Sequence, residues 1–463
     1  MISTYPEINK VHFSFKNATF IGYQEVLMPS NWKSNEPMLF TFVFVKGALA
    51  PEDYSCFFKQ AALLNLSHPR IFSTTALEFS SVLHPAFFYA LLKSKEHTSK
   101  QLAAYLSSLE HKKINIPLDN HLKAGTSLYY LQSLVFLSGV TLSAALIQNR
   151  WSQGTIESKL NRLWQAAHLL TNTYGLKITS DNIREFVLEM GNELSNNPLY
   201  VLKQVKLFYA NLLSDLVKNI PYQKKIMKPK ALTQIEKLRF GFVKSLKQQL
   251  GSNLKAIVLY GSATNSEQFA DYDLIVVVND LSEALQILSG KSPAYNGIEL
   301  NISVYGPDDF WNYQLASGDN LYDHGICLYG EIEVPHKSKN ELLMRNFSFG
   351  FIRYRQLLGM GFYVNNITDE DDDKRNLLDY FIKIPLNIAK GIQGSTGSIS
   401  TNEAIKTWAI NKMNFDVDAL KTISREGNHL QAVSHAIYAA QEVLKIYNQQ
   451  LKVLATKPNN KLF

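Results

Sequence analysis

Cysteine is almost missing from this chain, since only Cys56 and Cys327 occur among its 463 residues. Two cysteines so far apart, without the spacing of metal ligands, argue against a disulfide scaffold or a zinc site and suit a reducing compartment. Residues 1–10 also lack the basic segment and the apolar stretch of a signal peptide. We therefore expect a cytoplasmic protein, although a secreted protein without a signal peptide would begin in the same way.

Concentrated charge is missing as well. The formal net charge is +7 at pH 7 and the pI is about 9.0, but the basic residues are scattered and form no stripe. This distribution argues against a nucleic acid as the partner. Internal repeats and low-complexity segments are absent, and 46% of the residues are hydrophobic, which is enough for the cores of two to four globular domains.

One uncharged stretch is long enough to cross a bilayer, because no charged residue lies between Lys123 and Arg150. It contains several polar or small residues, namely Gln132, Ser133, Ser138, Gly139, Thr141, Ser143 and Gln148. A lone lipid-facing helix seldom carries so much polarity, and the chain has no second span of this kind. We predict a central buried helix here and no membrane partner.

The first part of the chain, residues 1–220, is predicted to form a mostly helical domain of unassigned role. Alternating apolar residues within 11–46 indicate a small β-hairpin at its start. Candidate helices cover about 78–95, 99–111, 125–149, 155–173, 181–193 and 198–218. Prolines and lysines at 221–232 interrupt the helical pattern and indicate a linker.

Two further domains are predicted after this linker. Residues 233–335 combine strand and helix patterns, and Thr233 to Glu236 read as a capping box for the first helix. Residues 336–463 read as a second helical domain. The most informative pattern of the chain lies in the middle domain.

That pattern begins with an apolar run, Ala256 to Leu259, which predicts a short buried strand ending on Tyr260-Gly261-Ser262. Asp271 and Asp273 open a second strand of mostly β-branched residues. Alternate side chains of a strand share a face, so the two carboxylates point the same way and repel each other unless a cation lies between them. Hard divalent ions such as Mg²⁺ bind carboxylates together with substrate phosphates. Gly261 and Ser262 can approach phosphate oxygens.

A third acid follows on the next predicted strand, residues 297–305, where apolar and polar residues alternate. Glu299 lies on the polar face of that strand. If the strand pairs beside the one that carries Asp271 and Asp273, Glu299 joins them as a metal ligand or as a general base.

The combination of an apolar strand, Gly-Ser, Asp-x-Asp and a later acid resembles the DNA polymerase β-like nucleotidyltransferase superfamily. The resemblance implies that Gly261 and Ser262 contact the triphosphate. It also implies that Asp271, Asp273 and Glu299 hold two Mg²⁺ ions for in-line nucleotidyl transfer. The chain departs from many members at residues 263–265, Ala-Thr-Asn, where an Arg-Gly pair is common.

A second resemblance covers the C-terminal region. The run from Gly397 to Ala404, followed by Trp408, resembles the helical domain of aminoglycoside adenylyltransferases of the streptomycin/spectinomycin type. In those enzymes a lysine of this segment helps to complete the ATP pocket, but Thr401 stands at its position here. Lys383 and Lys406 are the candidate replacements for nucleotide binding. The two resemblances together extend over about residues 233–450.

These patterns predict an α+β fold class, with a small mixed β-sheet nucleotidyltransferase core between a mostly helical N-terminal domain and a C-terminal helical bundle. The bundle is expected to complete the nucleotide and acceptor cleft. The resemblance implies transfer of AMP from ATP to an acceptor hydroxyl, with a small molecule favoured. Two other interpretations stay open: AMP transfer to a protein or RNA partner, and an inactive nucleotide-binding interaction module.

Overall fold

A computed structural model of the chain combines helices with small mixed β-sheets, which agrees with the α+β class predicted from the sequence. It describes residues 13–29, 37–66, 69–73, 180–193, positions within 196–211, and residues 222–267, 269–288, 293–364, 372–395 and 401–455. The predicted helices over 78–95, 99–111, 125–149 and 155–173 lie outside these residues, and so does the uncharged stretch between Lys123 and Arg150. None of the helices in the described ranges is long and apolar enough to cross a membrane.

Within the described residues from 13 to 73, three strands form a sheet and one helix lies between the second and the third strand. Strands β1 (Thr19–Pro29) and β2 (Pro37–Lys46) are antiparallel and form the hairpin expected within 11–46. Helix α1 (Pro51–Leu63) follows, and β3 (Arg70–Ser73) then pairs in parallel with β2. The next helix described is α2 (Ser180–Glu193), which matches the helix predicted over 181–193.

The segment predicted as a linker at 221–232 contains a strand, β4 (Gln223–Met227). This strand pairs antiparallel with residues Ile332–His336 at the end of the middle domain. The prediction of a linker is therefore wrong for this segment. Both prolines of this segment lie outside residues 223–227 in the sequence, so they are compatible with an edge strand there.

The middle domain is built on a five-stranded sheet. Its elements, in chain order, are α3 (Gln234–Arg239), α4 (Phe242–Leu250), β5 (Leu254–Tyr260), β6 (Asp271–Val278), α5 (Leu281–Leu288), β7 (Ala294–Tyr295), β8 (Ile298–Tyr305), α6 (Pro307–Ala316), α7 (Leu321–His324), β9 (Ile326–Tyr329) and β10 (Ile332–His336). Strands β7, β8, β6, β5 and β9 lie in that order across the sheet, with β6 and β8 parallel. The other neighbouring pairs are antiparallel.

Local sequence explains where these elements begin. Thr233 accepts a hydrogen bond from the backbone N–H of Glu236 at 3.2 Å, and the carboxylate of Glu236 accepts one from the backbone N–H of Thr233 at 2.9 Å. The predicted capping box is confirmed. The apolar runs Ala256–Leu259 of β5 and Leu274–Val278 of β6 are buried on both faces of the sheet, which is why they show no alternation with polar residues.

The C-terminal part is helical, as predicted. Its helices are α8 (Lys339–Tyr363), α9 (Asp372–Ile382), α10 (Ile384–Ser395), α11 (Asn402–Met413), α12 (Val417–Arg425) and α13 (His429–Ala455). The longest of them, α8 and α13, pack against each other and against α10.

The two ends of the chain share one hydrophobic core, which differs from the predicted separation of an N-terminal domain at 1–220 from a C-terminal domain at 336–463. The ring of Phe58 on α1 meets that of Phe362 on α8 edge to face, with the centroids 4.7 Å apart. The hydroxyl of Ser55 on α1 donates to that of Ser434 on α13 at 2.9 Å. Met190 of α2, in contrast, belongs to the core of the middle domain. The described residues before 220 are thus divided between two cores.

Candidate active site

The three acids predicted as catalytic residues lie side by side on the sheet. The parallel register of β6 and β8 places Asp271 opposite Glu299 and Asp273 opposite Asn301. Opposed residues of neighbouring strands share a face, as do alternate residues of one strand. The three carboxylates therefore line one face near the beginning of both strands. The strand pairing on which the choice of Glu299 depended is confirmed.

Tyr272, between the two aspartates, holds β6 in this orientation from the opposite face. Its side chain is 3% exposed, and its ring lies 4.9 Å from that of Phe242 and 4.8 Å from that of Phe269, centroid to centroid. Turning the aspartates away from their common face would expose this aromatic cluster, which is unfavourable.

Burial and mutual repulsion act on both aspartates. Burial, and next the charge of Asp271, raise the pKa of Asp273 to about 6, against the hydrogen bond from Asn301. That bond runs from the Asn301 amide to Oδ1 of Asp273 over 2.9 Å. Burial and the charge of Glu299 also raise the pKa of Asp271. A cation near these carboxylates would therefore be stabilising.

The turn after β5 brings the backbone against these acids. Gly261 has φ 75° and ψ −156°, a conformation that is essentially restricted to glycine. A Cβ atom at this position would overlap Oδ2 of Asp273 and would lie 3.2 Å from its Cγ. Glycine is thus required at position 261 for two reasons, namely the backbone conformation and the close approach of Asp273.

Ser262 opens a 3₁₀ turn, Ser262–Thr264, directly after this glycine. The turn is closed by the side chain of Thr264, which donates to the carbonyl of Gly261 at 2.8 Å. The half-buried hydroxyl of Ser262 has no hydrogen-bond partner among the residues that the structure describes. It can therefore bind a ligand without giving up an internal bond.

A lysine that was not predicted from the sequence approaches the acids from the C-terminal helices. Lys390 on α10 is half-buried, which lowers its pKa, while the charge of Asp273 raises it. The same attraction acts to lower the pKa of Asp273. The ammonium of Lys390 also donates to the side chain of Asn402 at 3.0 Å. No motif surrounds Lys390, so the sequence alone does not indicate its electrostatic interaction with Asp273.

The two lysines predicted for nucleotide binding have other partners. Lys406 donates to Asp418 at 2.9 Å and lies 3.4 Å from a carboxylate oxygen of Glu403. Lys383 interacts with Lys421 and with Asp418. Both lysines are thus grouped with charges of the C-terminal helices, and their part in nucleotide binding stays a prediction.

Thr401, at the position where the resembling enzymes carry lysine, has a structural part. Its hydroxyl accepts a hydrogen bond from the backbone N–H of Ala404 at 3.2 Å and caps α11. Gly397 and the rest of the small-residue run before Thr401 lie outside the described residues. A threonine suits this position because a cap needs a short side chain with an acceptor oxygen.

A fourth carboxylate, Asp319, lies close enough to raise the pKa of Asp273. The hydroxyl of Ser317 donates to Oδ2 of Asp319 at 2.7 Å. The ammonium of Lys337, only 4% exposed, donates to the carbonyls of Ser317 and Asp319 at 2.6 and 3.0 Å. Burial lowers the pKa of Lys337 to about 7. The buried ammonium of Lys337 thus fixes the loop that carries Asp319. No sequence pattern had indicated that Asp319 belongs near the site.

The donor set suits a hard divalent cation, since it offers carboxylate oxygens on one face and a hydroxyl beside them. Within the described ranges, no three His, Cys, Asp or Glu side chains form a group that could hold a metal ion. On this face of the sheet Asp271 is the neighbour of both Glu299 and Asp273, and the hydrogen bond from Asn301 fixes the carboxylate of Asp273. The repulsion between Asp271 and Asp273 fits them as metal ligands. The participation of Glu299 and a second ion stay predictions.

Comparisons of the chain with protein-family models, with curated proteins and with solved structures found no match. The functional argument therefore depends on the residues and geometry of the site.

Proposed function

We propose that this chain is a Mg²⁺-dependent nucleotidyltransferase that moves AMP from ATP to a hydroxyl group of a small molecule. The proposal is supported above all by one observation. Asp271, Asp273 and Glu299 share one face of the sheet, and the backbone of Gly261 is packed against Asp273. ATP as the donor rests on the resemblance described above, because no described residue selects adenine.

Each residue of the site has a part in the proposed reaction. The acceptor oxygen bonds to the α-phosphorus of ATP, the bond from that phosphorus to the bridging oxygen breaks, and pyrophosphate leaves. Mg²⁺ held by Asp271 and Asp273 would neutralise charge on the phosphate oxygens. Glu299, at the end of the row, accepts the proton of the acceptor hydroxyl.

Ser262 and Lys390 bind phosphate oxygens in this proposal, one from the sheet and the other from the C-terminal helices. A lysine is suited to this part because its ammonium is a compact charge with three donors. The acceptor is proposed to bind between the sheet and these helices. The amide of Asn346 on α8 donates to the carbonyl of Gly318 at 2.9 Å there, which joins the loop of Asp319 to the helices.

The test is transfer of label from α-³²P ATP, with Mg²⁺, into a cell extract that is then separated into small-molecule, protein and RNA fractions. The Asp271→Asn/Asp273→Asn double variant is the negative control, since it keeps the shape of both side chains and removes their charge. Asp308→Asn is the matched control, because Asp308 is an exposed aspartate at the other end of the parallel strands.

Label in the small-molecule fraction, lost in the double variant and kept in Asp308→Asn, is the expected result. Label in protein or RNA would instead support the second interpretation of the sequence. No label in any fraction with any of the four nucleoside triphosphates would refute the transferase and leave an inactive nucleotide-binding module.

A further inference from the structure

The loop after Gly261 is held from behind by an arginine that precedes it in the chain. Arg239, the last residue of α3, donates through Nη2 to the carbonyl of Ala263 at 2.9 Å and to that of Ser266 at 2.8 Å. Hydrogen bonds from a charged donor are among the strongest in proteins. One guanidinium nitrogen thus ties together both ends of the turn that follows Ser262.

Both the guanidinium and the backbone of Arg239 are held by aromatic residues. The guanidinium lies over the ring of Phe269 at 4.8 Å from the centroid and over that of Phe240 at 5.4 Å. The hydroxyl of Tyr272 donates to the carbonyl of Arg239 at 3.2 Å. Since Tyr272 points away from the acids, Arg239 is placed on the face of the sheet opposite to Asp273.

This arrangement also sets the direction of the peptide groups in the loop. In a trans peptide the C=O of one residue and the N–H of the next point in opposite directions. Because the carbonyls of Ala263 and Ser266 point to the guanidinium, the N–H groups of Thr264 and Glu267 point away from it. The N–H of Thr264 donates to the carbonyl of Gly261 at 3.3 Å, so the same peptide group links Arg239 to the turn at Gly261.

We propose that Arg239 is the positioning residue of the triphosphate-binding loop, and this inference rests on the proposed function. It holds residues 261–266 in the one conformation in which Ser262 and the backbone can contact the outer two phosphates of the nucleotide. Residues 263–265 supply no cation of their own. Arg239 acts through the loop and does not touch the nucleotide.

The experiment measures the affinity of the full chain for ATP and for AMP, each with Mg²⁺, by isothermal titration calorimetry. The variants are Arg239→Gln and Arg239→Lys. The matched control is Lys237→Gln, which removes an exposed positive charge from the same helix. AMP lacks the outer phosphates, so it reports any general damage to the site and to the fold.

Arg239→Gln is expected to bind ATP at least about tenfold more weakly, because the loop is no longer preorganised, and to bind AMP as the wild type does. Arg239→Lys is expected to be impaired too, since an ammonium on a flexible stem does not reproduce the stacked, planar donor. It also serves as the test variant if Arg239→Gln does not fold. Lys237→Gln should equal the wild type.

Three results would overturn the inference. Unchanged ATP affinity in both Arg239 variants would show that the loop needs no support, and the proposed function would stand. Equal losses for ATP and AMP would make Arg239 a residue of general stability only. A wild-type chain that binds no nucleoside triphosphate would refute the proposed function together with the inference.

Discussion

Replacing Gly261 by alanine is the sharpest perturbation of the site, because one methyl group acts in two ways. The backbone at 261, with φ 75° and ψ −156°, is strained for any residue that carries a Cβ atom. The same atom would overlap the Asp273 carboxylate, so either the loop or the aspartate must move. The substitution therefore separates Asp273 from the turn that is proposed to bind phosphate.

The magnitude follows from these two effects. Strain of this kind costs about 1–3 kcal/mol of folding free energy. Oxygen and carbon atoms that overlap must separate by about 1 Å to regain normal contact, and a displacement of that size at a catalytic group can slow the reaction about 100-fold. Gly261→Ala should thus be modestly destabilised and severely impaired in transfer.

Gly251→Ala is the matched control. Gly251 has φ 54° and ψ −131°, yet an added Cβ there meets nothing within 4 Å. Both variants are expected to unfold at lower urea concentration than the wild type, but only Gly261→Ala should lose transfer of label from α-³²P ATP. Equal transfer by the two variants would refute the close packing of Gly261 on Asp273 as the reason for this glycine.

Three further predictions concern charge and packing. The pKa of Asp273 is raised from 3.8 to about 6, so its protonated carboxyl group favours folding below pH 4, and this contribution is lost as the pH rises through 6. Asp273→Asn should therefore raise the free energy of unfolding at pH 8 by up to about 3 kcal/mol, as measured by urea titration, and it should also abolish transfer of label. A lower free energy of unfolding for this variant at pH 8 would contradict the prediction. Lys390→Gln should weaken ATP binding about tenfold in calorimetry, whereas Lys406→Gln should not; the reverse result would return the nucleotide contact to Lys406. Phe58→Ala should cost about 3–5 kcal/mol by urea denaturation, because its buried ring packs on Phe362, and an unchanged midpoint would argue against the shared core.

Much of the candidate site was predictable from the sequence because its aspartates and the Gly-Ser turn depend on short-range patterns. The alternation of Asp271 and Asp273 follows from the period of a strand, and Gly261 comes directly after the apolar run that predicts a buried strand. The capping box at Thr233 was equally local. Glu299 required one long-range assumption, the pairing of its strand beside that of Asp271, and the register of the sheet confirms it.

The remaining parts of the site could not be predicted in this way. Lys390 and Asp319 lie in segments without any motif, and the two lysines chosen by proximity to a resembling segment have partners on the C-terminal helices. The strand at 223–227 was taken for a linker because prolines and lysines are common in both linkers and edge strands.

The sequence by itself determined the strands, the turn and the two neighbouring aspartates, because these depend on side-chain periodicity and on backbone sterics within a few residues. Only the tertiary structure decided which cation faces Asp273, which loop adds a fourth carboxylate, and that the two ends of the chain share one core. Those contacts join segments far apart in the chain, and they exist because packing buries apolar faces whose partners no local pattern specifies.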